Sequence, residues 1–135
     1  MPSQTAEDYL ERIYELIETK GYARVADIAH TLSIAQPTVT RMVQKLAEEK
    51  YLDYERYRGL NLTARGREVA ENIRRRHHTL AAFFELLGLE KSVALQQVDG
   101  IEHHLSDLTV ERLNLLVAYM KKTPSLLKHL RMAAR

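Results

Sequence analysis

Residues 25–46 read VADIAHTLSIAQPTVTRMVQKL, and the fold turns on them. Val25 to Leu32 has the pattern of a short helix. Ser33-Ile34-Ala35-Gln36 reads as a turn. Pro37 then suits the first position of a second helix, where its missing N–H is not needed. That helix runs to about Lys50, with Val39, Met42, Val43 and Leu46 facing inward. Two helices that cross closely need a small residue at the crossing, and Ala29 fills that place. Val39 suits a buried β-branched position, and Leu32 and Ile34 bracket the turn.

The segments on either side extend the pattern. Leu10, Ile13, Tyr14 and Ile17 predict an amphipathic helix over 5–20, with Thr5 as its N-cap and Gly21 as its stop. After the second helix, YLDYERYRGLNLT (51–63) is rich in Tyr and Leu, with Arg58-Gly59 between two short runs, and reads as a β-hairpin. Thr63 can cap a long helix from Ala64 to Leu87 that ends at Gly88. A further helix is expected to hold VDGIEHHLS (98–106), another runs from about Thr109 to Lys122, and Pro124 opens a basic tail. Helix, turn, helix, hairpin is the order of a winged helix-turn-helix. The expected fold is therefore mainly α: an N-terminal winged helix-turn-helix with a two-stranded β wing, then an all-helical domain, to which the family resemblance described below gives the role of dimerisation. The expected domains are 1–71 and 72–135, with the long helix spanning the boundary.

Composition narrows the function. Cysteine is absent, which excludes disulfides, thiolate nucleophiles and zinc–thiolate sites. No apolar run approaches the roughly 18 residues of a membrane span, and the N-terminus lacks a signal pattern, so the expectation is a cytoplasmic protein without a membrane partner. The net charge of +2 is unevenly spread: residues 1–33 carry −3, residues 34–76 carry +4 and residues 77–135 carry +1. The basic middle segment, which lies just after an acidic one, points to a polyanion, and double-stranded DNA is the expected partner.

If Val39 and its neighbours are buried, Gln36, Pro37, Thr38, Thr40, Arg41, Gln44 and Lys45 remain outside. The start of a recognition helix reaches base edges in the major groove. Thr40 and Arg41 are the expected base readers, because Arg can bridge a guanine and Thr can serve several bases. Gln36, Thr38 and Lys45 suit phosphates, and Arg56 and Arg58 beside the hairpin tip suit phosphate or minor-groove contact. The bland alternative for each is a solvated polar face.

A second constellation is metal-like. In VDGIEHHLS (98–106), a helical backbone would place Asp99, Glu102 and His103 at i, i+3 and i+4 on one face, with His104 about 100° away. Asp8 and Glu11 are i, i+3 on the first helix, in an acidic row that is otherwise read as a solvated face. His77 lies on the apolar seam of the long helix with Ile73, Leu80, Phe84 and Leu87, where a lone histidine is more often a core residue than a ligand. Together the three groups could meet in one pocket. Four carboxylates there would repel one another without a cation. Carboxylates with a minority of imidazoles suit Mn²⁺, and Fe²⁺, Co²⁺ or Zn²⁺ could also bind.

EDYLERIYELIE (7–18), GYARVADIA (21–29), VTRMVQKL (39–46), YERYRGLNLT (54–63), His77 and VDGIEHHLS (98–106) together resemble the DtxR family of metal-dependent repressors, in its short manganese-responsive branch. The resemblance spans nearly the whole chain. It implies a homodimer, a DNA operator, and a two-ion Mn²⁺ site formed by Asp8, Glu11, His77, Asp99, Glu102 and His103. Asp8 stands where iron-responsive relatives use methionine, and Asp99 where they use cysteine. The chain departs from its branch at Asp99, where glutamate is usual, which shortens that ligand by one methylene. The expected function is a manganese-activated repressor of manganese-uptake genes, with no small-molecule substrate. The rivals are a winged-helix regulator that answers to a small organic ligand or to another divalent metal such as iron, and a carboxylate–histidine metalloenzyme. The last lacks a nucleophile–base pair. Leu113, Leu116, Val117 and Met120 form an apolar stripe that suits either the dimer contact or the internal core.

Overall fold

The computed structural model describes residues 2–55 and 59–134. The chain divides into two compact units, Met1–Asn72 and Ile73–Arg135.

The first unit contains α1 (Gln4–Lys20), α2 (Val25–Leu32), α3 (Gln36–Glu48), β1 (Leu52–Glu55), β2 (Gly59–Leu62) and the start of α4 (Ala64–Leu86). Ser3, not Thr5, caps α1: its hydroxyl accepts from the Ala6 N–H at 3.2 Å, and Thr5 lies inside the helix. Gly21 ends α1 as expected, at φ +82°, with its N–H on the Ile17 carbonyl at 2.8 Å. Ser33 closes α2 in the left-handed region, and the Ile34 N–H returns to the Ala29 carbonyl at 3.0 Å. The second helix starts one residue before Pro37, with Ala35 as its cap residue. Ile28, Ala29, Val39, Val43 and Leu46 are buried together, and Leu32, Ile34 and Met42 pack against them half-buried. The crossing read from Ala29 and Val39 is therefore present.

The hairpin is antiparallel, pairing Leu52 with Leu62 and Glu55 with Gly59. A further pairing lies outside the hairpin. The Leu60 N–H bonds the Ala23 carbonyl at 3.1 Å, so the residues before α2 extend the wing by an isolated bridge. Thr63 caps α4 as expected, accepting from the Gly66 N–H at 3.1 Å. Gly66 is required by packing: a Cβ there would stand 2.0 Å from the Tyr51 carbonyl oxygen.

The second unit contains the rest of α4, α5 (Lys91–Ile101), α6 (Asp107–Lys121) and α7 (Pro124–Ala133). Ile73, Leu80, Ala94, Val98, Val110, Val117 and Met120 are its buried apolar residues. Two expectations are corrected here. The segment after Pro124 is a helix, because Leu126, Leu127 and Leu130 share a half-buried stripe at i, i+1 and i+4, and Pro124 occupies the first turn. The helix carrying VDGIEHHLS stops at Ile101, where the chain tightens into a turn with the His104 N–H on the Ile101 carbonyl at 3.0 Å, and Ser106 then caps α6, accepting from the Thr109 N–H at 3.1 Å. Among the described residues, no helix is long and apolar enough to cross a membrane.

Candidate metal centre and nucleic-acid interface

In the second unit, Asp99 ends up exposed near the end of α5, while Glu102 follows the helix at only 3% exposure. Glu102 keeps helical backbone angles and donates its N–H to the Val98 carbonyl at 2.9 Å. Glu102 thus stays in helical register with Val98 although the helix has ended. Glu102 Oε2 lies 2.9 Å from His77 Nδ1, and Glu102 Oε1 lies 3.5 Å from His103 Nε2. Each imidazole therefore meets one oxygen of the same buried carboxylate. The His103 side chain is 3% exposed, whereas His78 and His104 turn to the surface.

One ligand atom each from His77, Asp99 and Glu102 lie within 4.8 Å of one another. Donors on opposite sides of an ion bound at about 2.1 Å stand about 4.2 Å apart, so this spread fits one divalent cation with small adjustment. Two carboxylates and an imidazole without sulfur suit a hard to borderline ion. Asp8 and Glu11 lie in the first unit, one turn apart on α1 and both half-buried.

Arg76, beside His77, escaped the sequence reading. It is 4% exposed and donates through one Nη to the Leu105 carbonyl and through the other to the Asp107 carboxylate. Its spacing of three from Ile73 and four to Leu80 was the available signal, hidden in the run Arg74-Arg75-Arg76.

On α3, Pro37, Thr38, Arg41, Gln44 and Lys45 are exposed and Thr40 is half-buried, turned away from Val39, Val43 and Leu46, and Gln36 is exposed at the helix's first position. Arg56 and Arg58 lie outside the described residues.

Recognition helix, preceding helix and wing define a winged-helix DNA-binding protein. Known proteins specify it further. The family model for the iron dependent repressor N-terminal DNA binding domain matches residues 1–60, and that for the iron dependent repressor metal binding and dimerisation domain matches residues 63–130. The HTH-type transcriptional regulator MntR of Listeria monocytogenes serotype 4a (strain HCC23) is 46% identical over 131 residues, covering 97% of this chain and 92% of that protein. The MntR of Geobacillus kaustophilus (strain HTA426) is 47% identical, covering 97% and 93%. The structure of the manganese regulator SloR superposes with a TM-score of 0.73 at 32% identity, over 88% of this chain and 55% of that one. This chain spans about half the length of that solved regulator. The chain belongs to the DtxR family of iron-dependent repressors, in the branch of the MntR regulators. Its relatives are transcriptional regulators, a non-enzymatic class, which removes the metalloenzyme reading.

Proposed function

We propose that this chain is a manganese-activated repressor of manganese-uptake genes, acting in the cytoplasm as a homodimer on a double-stranded DNA operator. The observation that carries the metal part is the buried Glu102 carboxylate between His77 and His103, with Asp99 in reach. A bound divalent ion supplies the positive charge that lets these carboxylates stand together. His77, Asp99, Glu102 and His103 are the proposed ligands of the second unit. Asp8 and Glu11 join them in the proposal through the family resemblance, giving a set for two Mn²⁺ ions. The oxygen and nitrogen donors support manganese over softer metals, as does the likeness to the manganese regulator SloR.

Thr40 and Arg41 are the proposed base readers. Gln36, Thr38 and Lys45 are the proposed phosphate ligands of the DNA, with Pro37 and Gln44 on the exposed surface beside them and Arg56 and Arg58 proposed for phosphate or minor-groove contact. Of the apolar stripe on α6, Val117 and Met120 are buried, Leu113 is half-buried and Leu116 is exposed. Exposed Leu108, Leu115 and Tyr119 accompany Leu116 and support a surface for a second copy. A ligand set drawn from both units would couple metal binding to DNA binding, and the coupling must be reciprocal.

The test is fluorescence anisotropy of a labelled fragment from upstream of a manganese-uptake gene, with metal-free and Mn²⁺-loaded protein. Mn²⁺ should tighten binding by about 5- to 150-fold, the usual span of allosteric coupling. Equal affinity in the two states would remove the metal-activated reading.

A further inference from the structure

Arg76 is a buried charged group that the proposed function leaves unused. A guanidinium is costly to bury unless it is paired and hydrogen-bonded. Its partner Asp107 has a side chain 77% exposed, and its Nε has no hydrogen-bond partner among the described residues. The contact is therefore a poor way to gain stability alone. Its placement suggests another role. The two acceptors, Leu105 and Asp107, flank Ser106, the cap of α6. They follow directly on the turn that carries Glu102 and His103, beyond the last residue of α5. Arg76 itself precedes His77 on α4.

We propose that Arg76 is a positioning residue of the metal centre. Its two-pronged guanidinium ties the 102–107 segment to α4 and so fixes Glu102 and His103 relative to His77. Ligands inside a helix are held by the helix's own hydrogen bonds. Glu102 keeps one helical hydrogen bond, to Val98, but it and His103 sit past the last residue of α5, where an outside tether to α4 adds to what holds their donors in place. Arginine suits the task, because its planar fork holds two acceptors at once. The inference rests on the reading of His77, Asp99 and Glu102 as metal ligands.

The test uses the full chain, freed of metal, with Arg76→Met, Arg76→Lys and Asp107→Ala. Mn²⁺ binding is followed by electron paramagnetic resonance, and melting of the metal-free proteins by circular dichroism. Arg76→Met should weaken Mn²⁺ binding by about 10- to 100-fold, the range for groups that orient metal ligands. It should also change the line shape of the bound ion, which a purely structural loss would not do in the fraction that remains folded. Arg76→Lys should recover part of the affinity, since an ammonium can hold one acceptor but not fork between two. Asp107→Ala should fall between wild type and Arg76→Met. Wild-type affinity and line shape in folded Arg76→Met would overturn the inference. If that variant does not fold, wild-type affinity in Asp107→Ala overturns it instead. A wild-type chain that takes up no Mn²⁺ overturns the metal reading itself, and the role of Arg76 with it.

Discussion

Glu102 Oε2 stands 2.9 Å from His77 Nδ1, which joins the segment after α5 to α4 across 25 residues of sequence. The carboxylate is buried, so its charge has little water to stabilise it. Glu102→Gln preserves the shape and a hydrogen bond to His77 but removes the charge. It should lower Mn²⁺ affinity at least about tenfold, or about 1.4 kcal/mol. Metal-free Glu102→Gln should melt no lower than the wild type, because a buried carboxylate is replaced by a neutral amide. Calorimetric Mn²⁺ titration with parallel melting checks both. Unchanged Mn²⁺ affinity would remove Glu102 from the ligand set.

Asp99, shorter by one methylene than glutamate, has an exposed side chain that comes within 4.8 Å of the His77 and Glu102 donors. The shorter arm therefore reaches the group. Mn²⁺ titration followed by paramagnetic resonance should count two ions per chain with spin coupling in the wild type. Asp99→Asn should leave one, and Asp99→Glu should keep two. Two coupled ions in Asp99→Asn would exclude Asp99 as a shared ligand.

Gly66 and Gly100 make opposite predictions although both lie in helices. At Gly66 a Cβ would meet the Tyr51 carbonyl oxygen at 2.0 Å, whereas at Gly100 it would meet nothing within 4 Å. Gly66→Ala should therefore destabilise the protein by about 2 kcal/mol or more, as overpacking against backbone does. Gly100→Ala should stabilise it by about 0.5–1 kcal/mol, through the lower entropy of the unfolded chain. Thermal melting of both metal-free variants reads the difference, and equal shifts would contradict the packing at Tyr51.

The first unit was legible where the signals were local. Ala29, Val39 and the turn at Ser33 define the helix pair by spacing alone, and Gly21 and Thr63 act as punctuation within one turn of their partners. The bridge from Ala23 to Leu60 was not legible, since it joins residues far apart without a side-chain signature. In the second unit, Lys128, His129 and Arg131 disguised α7 as a basic tail while Leu126, Leu127 and Leu130 carried its apolar stripe. Ser106 caps α6, so that helix begins two residues before the expected Thr109, and α5 ends at Ile101 short of the stretch it was expected to hold. Sequence spacing could place Asp99, Glu102 and His103 on one face. It could not bring His77 to them, because that contact depends on how α4 and α5 pack. Arg76 was lost because three consecutive arginines look like surface charge.

Arg41 separates the DNA reading from the metal reading. It is exposed on α3, four residues beyond Pro37 and in the first unit, whereas the His77–Asp99–Glu102 group lies in the second. A bidentate contact from arginine to guanine discriminates by about 1–3 kcal/mol, so Arg41→Ala should weaken operator binding by roughly 5- to 150-fold. The loss should be larger on the operator than on random DNA at the same salt, because a phosphate contact would weaken both alike. Mn²⁺ affinity in the absence of DNA should not change. Anisotropy on the two DNA fragments, with a Mn²⁺ titration of the free variant, distinguishes the outcomes. Equal losses on both fragments would make Arg41 a phosphate ligand and leave Thr40 as the proposed base reader.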